Sequence, residues 1–313
     1  MNLHLLVDSE LFASALRALT PILLAALAGA LCERVGIFNV ALEGTMLVGC
    51  FAGVAGSWFT GSPLAGVLCA AAASAVFSGV LAVGSVSLRG NAVVIGIAMN
   101  LMAVGLTGFL LRSMFGVRGT FTSPHLHGLP TVPIPGLESL PVLGPLVGEQ
   151  TALTYGAWVI VPLVAFLLAR HPIGLRLRAV GEHSGAARSL GISPDEYRYA
   201  VVLFGGALGG LAGAQLALGN VTLFSENMTA GRGWIAVVAV MLAGGRPKWV
   251  FATSALFALA ESVGLRLQGL GLPQQITDAT PYVVTLIALV LVSRTWRRRR
   301  APGSTVVEQV AAA

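Results

Sequence analysis

The chain has 313 residues, of which 56% are hydrophobic and only 10% are charged, and its mean hydropathy is +0.84. Soluble domains carry about 25% charged residues, so this composition excludes an ordinary soluble protein and predicts an integral membrane protein. The formal net charge of +6 has a simple explanation in such a chain, because basic residues gather on the cytoplasmic side of membrane proteins. Nucleic acid is therefore not a predicted partner.

Apolar segments near the length of a bilayer crossing follow one another along the chain. A helix of about 20 apolar residues spans the hydrocarbon core, and the predicted fold is an all-α polytopic transmembrane helix bundle with about 8–10 spans and interrupted helices. The seventh candidate span is too short to cross comfortably, so we expect a broken or re-entrant piece there. The nine candidate spans are roughly 14–32, 42–60, 63–84, 92–114, 151–169, 199–219, 232–245, 249–267 and 280–294.

A single transmembrane domain is predicted over residues 1–296, followed by a basic and then flexible cytoplasmic tail over 297–313. The long loop at about 115–150 is rich in proline, which blocks regular helix, so we expect an extended lid or a flexible connector. If the loop at about 170–198 is cytoplasmic, 14 of the 19 basic residues lie inside, as the positive-inside rule requires. The long loop and the amino terminus are then outside, and the carboxy terminus is cytoplasmic.

Two stretches of the chain resemble each other. LAGALCERVGIFNVALEG at 27–44 and LAGAQLALGNVTLFSENMTAG at 211–231 begin with the same four residues and reach a Glu and a Gly through interrupted sequence. In the predicted topology, the helices leading into them run in opposite directions. Inverted repeats with interrupted helices point to the central pathway of a transporter, so a possible inverted repeat is part of the predicted fold.

The sequence contains no catalytic or metal-binding constellation. Its only lysine, Lys248, follows Pro247, so a phosphate-binding Gly-x-x-x-x-Gly-Lys loop is impossible, and no histidine falls within a predicted span. We therefore predict no enzymatic activity, no metal site and no cofactor bound by this chain itself.

Several polar residues fall within the apolar segments or at their edges, where a charge costs about 2.5–3.5 kcal/mol on insertion scales. Such residues either line a wet pathway for a hydrophilic solute, or they pair within the bundle or cap the ends of broken helices. Both alternatives stay open at this point. The residues that we assign to the substrate pathway are Asn39, Glu43, Asn100 and Asn227.

Three further charged residues are predicted to be structural. Glu226 and Arg232 are six residues apart around a glycine-rich turn, so they can meet and we expect them to pair. Glu261, near the outer half of its span, completes this structural polar set.

The charged stretch GLRLRAVGEHSGAARSLGIS at 174–193 lies between two long apolar segments. Small residues from Ser184 to Leu190 predict one or two helical turns, and Gly191 is well placed as the left-handed residue that ends a helix. We predict a short amphipathic helix that faces the cytoplasm and serves as a docking surface for another protein.

This stretch resembles the cytoplasmic coupling segment of ABC-transporter permeases, whose pattern is Glu-Ala-Ala, three residues and then Gly. Here Ala186 and Ala187 are followed by three residues and Gly191, while the glutamate is displaced to Glu182. The similarity is to the branched-chain amino acid, ribose and nucleoside group of these permeases. Three further stretches resemble the corresponding segments of the nucleoside and simple-sugar branch: ERVGIFNVALEGTMLVG at 33–49, GIAMNLMAVGLTGFLLR at 96–112 and GRGWIAVVAVMLAGG at 231–245.

The resemblance implies a permease subunit of an ATP-driven importer for nucleosides or a related ribose-containing solute, similar to the shorter of two paired permeases. It implies a bacterial inner membrane, a second non-identical permease, a cytoplasmic ABC ATPase that binds ATP and Mg, and a periplasmic or lipoprotein substrate-binding protein. The first alternative is a simple-sugar permease of the ribose type. The second is an ATP-independent secondary transporter or channel, which would not require the Ala-Ala-x-x-x-Gly loop. The residues that the resemblance assigns to coupling with the ATPase are Arg178, Glu182, Ala186, Ala187, Arg188 and Gly191.

Overall fold

The computed structural model describes residues 9–133, 149–269 and 283. The predicted span at 280–294, the tail at 297–313 and the loop residues 134–148 lie outside the described residues, apart from residue 283. The helices within the described residues are α1 Ser9–Arg34, α2 Leu42–Thr60, α3 Pro63–Ala82, α4 Ala92–Phe115, α5 Ala152–Arg170, α6 Pro172–Glu182, α7 Ser184–Ser189, α8 Pro194–Ala214, α9 Arg232–Ala243 and α10 Pro247–Gly269. The strands are β1 Thr120–Phe121, β2 Thr131–Pro133, β3 Glu149–Thr151 and β4 Phe224–Ser225.

Seven of the described helices, α1 to α5, α8 and α10, are long and apolar enough to cross a membrane. They coincide with predicted spans, which confirms the helical bundle. Helix α8 begins five residues before the predicted 199. Pro194 at its first position and the acidic residues Asp195 and Glu196 in its first turn explain this early start, because both features favour a helix amino terminus.

Helix α9 is the short seventh segment of the prediction. Its 12 residues extend about 18 Å at 1.5 Å per residue, whereas the hydrocarbon core is about 30 Å thick. The expectation that this segment is too short to cross is therefore confirmed.

The bundle has central and peripheral helices. In α1 and α2, 83% of the span is buried within the chain, whereas the figure for α5 is 22%. Apolar side chains are left exposed on the peripheral helices, for example Leu101, Phe109 and Leu163. Their exposure to water would be unfavourable, so they suit contact with lipid or with another subunit.

Glycines bring α8 into backbone contact with α2 and α3. A Cβ at Gly49 of α2 would lie 2.6 Å from the Cα of Gly210 in α8, and a Cβ at Gly210 would overlap the carbonyl oxygen of Ala70 in α3. Small residues allow this close approach, which supplies the van der Waals packing that holds helices together in lipid.

The described part of the long loop between α4 and α5 forms short strand pairs. Strand β1 pairs with β4 and β2 pairs with β3, both in antiparallel register. The hydroxyl of Ser57 near the carboxy-terminal end of α2 donates to the carbonyl of His127 at 2.7 Å, and the amide of Leu129 donates to the carbonyl of Leu218 at 2.9 Å. These bonds hold the described ends of the loop against the bundle, and the choice between an extended lid and a flexible connector stays a prediction.

The glycine contact can be tested by adding one methyl group. We expect Gly210→Ala to lower the free energy of unfolding by about 1–3 kcal/mol, the usual cost of overpacking, and to lower the melting temperature of the purified protein in detergent. Gly105→Ala in α4 is the matched control, because nothing lies within 4 Å of a Cβ at that position. Equal melting temperatures for the two variants would contradict the packing role.

Candidate functional site: the interrupted helices and the polar loop

The segment that leads into α9 makes sharp turns before the helix begins. Backbone φ is positive at Thr222, Asn227, Ala230 and Gly231, with values of 51°, 57°, 46° and 86°. Only glycine adopts such angles without cost, and a non-glycine residue held there indicates a backbone that its surroundings constrain. The contacts that constrain it are therefore the central feature of this part of the molecule.

The amino terminus of α9 lies at depth in the bundle. At the other end of this helix, the guanidinium of Arg34 donates to the carbonyl of Gly245 at 3.0 and 2.8 Å, close in sequence to Arg246 and Lys248. Basic residues of this kind mark the membrane surface. Since α9 is about 18 Å long, a helix that starts at this surface and runs across the membrane would have its other end near the middle of a core of about 30 Å, where unpaired amide groups are costly.

The carboxylate of Glu43, in the first turn of α2, satisfies the amino terminus of α9. Its Oε1 accepts from the hydroxyl of Thr229 at 2.6 Å and from the amide of Gly231 at 2.9 Å, and its Oε2 accepts from the amide of Gly233 at 2.7 Å. The cap residue Gly231 has no side chain that could do this. A helix amino terminus also attracts negative charge through its dipole, so Glu43 caps α9 from another helix.

The amino terminus of α2 is capped in a similar way. The side-chain oxygen of Asn100, in α4, accepts from the amide of Gly44 at 2.8 Å, and its amide nitrogen donates to the carbonyl of Val40 at 3.0 Å. The side-chain oxygen of Asn39 accepts from the amide of Ala41 at 2.9 Å. The break between α1 and α2 therefore has its exposed backbone groups satisfied by these two amides.

The two breaks correspond to each other as the repeat predicts. Each follows a long helix, α1 or α8, and each precedes a helix whose amino terminus is capped from another element. In α8, Gly205 faces Ala28 and Cys32 of α1, while Arg198 donates to the carbonyl of Val35. Residue numbers thus rise along α1 as they fall along α8, so the two helices run in opposite directions.

The predicted pathway residues fall into two environments. Asn39, Glu43 and Asn100 are buried, and each makes hydrogen bonds to backbone groups at a helix end. This agrees with the alternative that such residues cap the ends of broken helices. Asn227 is exposed on the turn before α9. That any of the four contacts a passing solute stays a prediction.

Arg232 pairs with a different residue from the one predicted. Its guanidinium donates to Oε1 of Glu261 in α10, through Nε at 2.8 Å and through a second short contact from Nη2. Glu226 is exposed, and its backbone amide donates to the carbonyl of Gly119 at 2.8 Å. The expected Glu226–Arg232 pair was wrong, because the strand pairing of β4 and the bond to Gly119 hold Glu226 beside β1, while Arg232 reaches α10.

One polar cluster was missed by sequence reasoning. It is centred on Gln215, where α8 passes into the π-helical segment Gln215–Val221. The hydroxyl of Thr151 donates to its side-chain oxygen at 2.8 Å, its side-chain nitrogen donates to Asn220 at 3.2 Å, and Thr154 lies 3.0 Å from Thr151. A glutamine within the apolar segment 199–219 was the signal that could have found it.

The charged stretch at 174–193 forms two helices, α6 and α7, that divide at His183. Helix α7 confirms the predicted turns at Ser184–Leu190. Gly191 has φ of 77°, its amide donates to the carbonyl of Arg188 at 3.0 Å, and the amide of Ile192 donates to that of Ala187 at 3.0 Å. This is the Schellman arrangement that ends a helix at a glycine. The arginine-rich part before His183 was not predicted as helix.

The residues assigned to coupling differ in their exposure. Ala187 is 1% exposed and packs into the protein, whereas Ala186 is exposed beside Leu190, which is 79% exposed. Glu182 and Arg188 are exposed as well, and Arg188 lies 3.5 Å from Asp195 in an ion pair open to solvent. Arg178 donates to the carbonyl of Gly174 within its own helix at 3.4 Å. The surface available to a partner is therefore the face with Ala186 and Leu190.

The class of protein follows from these features together. Apolar spanning helices, two interrupted helices that meet inside the bundle and a short helix on a polar loop are the architecture of a membrane transport permease. The fold is similar to a transporter described as metal-chelate type and solved in an inward-facing conformation, with a TM-score of 0.50 and 15% identity over 90% of this chain and 85% of that one.

The chain belongs to the family described as branched-chain amino acid transport system / permease component, which it matches over residues 11–292. It is 36% identical to the nucleoside ABC transporter permease NupC of Lactococcus lactis subsp. cremoris, over 87% of this chain and 88% of that protein. It is 32% identical to the guanosine ABC transporter permease NupQ of Bacillus subtilis, over 86% and 87%. A candidate glucose ABC transporter permease of Haloferax volcanii is 37% identical, over 82% and 77%. The chain is thus a multi-pass membrane permease, a transport subunit.

The cap on α9 can be tested by a change that keeps the shape of Glu43. In Glu43→Gln, one carboxylate oxygen becomes an NH2 group that faces a donor, so one buried amide or hydroxyl loses its partner. We expect the free energy of unfolding to fall by about 1–3 kcal/mol, measured by thermal unfolding, and the 222–231 segment to be cut faster by a protease. The exposed Glu226→Gln should change neither, and similar effects of both variants would contradict the capping role.

Proposed function

We propose that this chain is the membrane-spanning permease subunit of an ATP-driven ABC importer for nucleosides or a related ribose-containing solute. The observation that carries this proposal is the similarity to NupC and NupQ over most of each chain, at 36% and 32% identity. The likeness to a candidate glucose permease keeps a simple-sugar permease as the first alternative.

The polar groups inside the bundle support the proposal that the transported solute is uncharged. Among the charged residues near the two breaks, Glu43 caps α9 and Arg232 pairs with Glu261. The polar groups beside them are amides and hydroxyls, which both donate and accept hydrogen bonds. Such groups can pass a hydroxyl-rich neutral solute, whereas a zwitterionic amino acid would need charged partners.

The proposed arrangement in the membrane follows from the basic residues. The loop that holds α6 and α7 faces the cytoplasm of a bacterium, and the carboxy terminus lies on the same side of the inner membrane. The amino terminus and the ordered external loop face outward, where a periplasmic or lipoprotein binding protein delivers the solute. A second, non-identical permease completes the pathway, and a cytoplasmic ABC ATPase binds ATP and Mg.

The proposed mechanism is a movement passed from the ATPase to the bundle. Closure of the ATPase on ATP shifts α7 through the face that includes Ala186 and Leu190. This shift favours one state of the gate over the other, because ATP can only bias an equilibrium through a difference in interaction between two states. The solute then passes the residues assigned to the pathway, Asn39, Glu43, Asn100 and Asn227.

The substrate and the energy source are tested together in proteoliposomes that hold the assembled complex. We expect uptake of labelled guanosine that requires ATP and the binding protein and is competed by other nucleosides but not by ribose or glucose. Competition by the sugars alone would support the first alternative. Uptake at the full rate without the ATPase would support a secondary transporter or channel and overturn the proposal.

The coupling face can be tested by a charge placed where α7 is exposed. We expect Leu190→Glu to reduce co-purification of the ATPase by about tenfold or more, because burying an unpaired charge in an interface is costly, while the permease itself stays folded. Leu88→Glu is the matched control, since Leu88 is 75% exposed on another turn. Ala187→Glu is unsuitable, because Ala187 is buried. An intact complex with Leu190→Glu would refute this face as the contact.

The role of Asn227 in the pathway can be tested without disturbing the turn. Its φ of 57° suits glycine, so Asn227→Gly removes the amide and keeps the backbone. We expect a several-fold rise in the solute concentration for half-maximal uptake, with an unchanged melting temperature. Ala230→Gly, at φ of 46°, removes only a methyl group and should leave uptake unaltered. Unchanged uptake for both variants would exclude Asn227 from the pathway.

A further inference from the structure

The carboxy-terminal end of α6 touches the backbone of the break between α1 and α2. A Cβ at Gly181 would overlap the carbonyl oxygen of Arg34 and would lie 3.3 Å from the amide nitrogen of Gly36. In the other direction, a Cβ at Gly36 would lie 3.6 Å from the carbonyl oxygen of Gly181. Backbone therefore meets backbone here, with no flexible side chain between the two segments.

Two arginines hold the same stretch in place. Arg198, in the first turns of α8, donates through Nε to the carbonyl of Val35 at 3.2 Å. Arg34 donates to the carbonyl of Gly245 after α9 at 3.0 and 2.8 Å. Cations are favourable at the carbonyl end of a helix, and here they tie the end of α1 to α8 and to the end of α9. We call Arg34, Gly36, Gly181 and Arg198 the cytoplasmic joint.

The joint leads directly to the capped helices. Only residues 37–42 separate Gly36 from Glu43, and Ile37, Asn39 and Val40 among them are buried. The carbonyl of Val40 accepts from Asn100 at 3.0 Å. Because this connection is short, buried and tied at its middle, a displacement of Gly36 moves the start of α2 and, through Glu43, the start of α9.

Helix α6 is itself anchored on one side. Leu177 and Val180 are 3% and 0% exposed, and the amide of Ala187 in α7 donates to the carbonyl of His183 at 3.0 Å. A movement of α7 therefore passes to α6 through one residue, and Gly181 lies two residues before that point.

We infer that Gly181 is a positioning residue for transport: its backbone contact with Arg34 and Gly36 carries the movement of α6 and α7 to the break before α2. This inference rests on the proposed function, since it needs an ATPase that moves α7. It adds to that proposal a specific route between the cytoplasmic loop and the two capped helices.

The test compares two glycines in the assembled complex, reconstituted with its ATPase, second permease and binding protein. Gly181→Ala forces α6 away from Arg34, whereas Gly156→Ala in α5 places a methyl group where nothing lies within 4 Å. We expect Gly181→Ala to lower the number of solute molecules taken up per ATP hydrolysed by about tenfold, within the range typical of coupling between two sites. Its ATPase activity should persist, and Gly156→Ala should behave as the wild type.

The ratio of uptake to hydrolysis separates the inference from a merely structural role. An unchanged ratio of uptake to hydrolysis would overturn the inference, even if both rates fall. If Gly181→Ala does not assemble, Arg198→Met loosens the same joint by removing its donor, and the same fall in the ratio is expected. A wild-type complex that takes up no solute with ATP would instead refute the proposed function, before either variant is measured.

Discussion

The carboxylate of Glu43 is the interaction on which the arrangement of the bundle depends. Inside a membrane, a helix that begins at mid-depth exposes amide groups that water cannot satisfy. Glu43 accepts two such amides and one hydroxyl at the start of α9, and the dipole of that helix favours its charge. A costly buried charge and a costly helix end thus offset each other, and α2 is joined to α9 as a result.

The rest of the core supports this junction. Asn100 holds the start of α2 from α4, and the glycine contacts around Gly210 allow α8 to approach α2 and α3 closely enough to bring the second break beside the first. Beyond the end of α1, the contact between Gly181 and Gly36 connects the same junction to α6 and α7. A loop helix on one side of the membrane and two helix ends at its centre therefore belong to one continuous set of contacts.

The spans and α7 could be predicted because their signals are local: runs of apolar residues, a proline or glycine at an end, and small residues before Gly191. The partners of the buried polar residues could not. Glu43 binds groups 186 to 190 residues away along the chain, and Arg232 chooses Glu261 over the nearer Glu226. Such choices depend on which helices touch, which periodicity does not reveal. The same limit concealed the cluster around Gln215.

Hydrogen exchange of individual backbone amides in the wild-type protein tests the central junction most directly. If Glu43 caps α9, the amides of Gly231 and Gly233 exchange as slowly as those in the middle of α2, because slow exchange marks backbone that opens only with the core. Exchange of these two amides at the rate of an unstructured peptide, in a protein that is otherwise folded, would contradict the account.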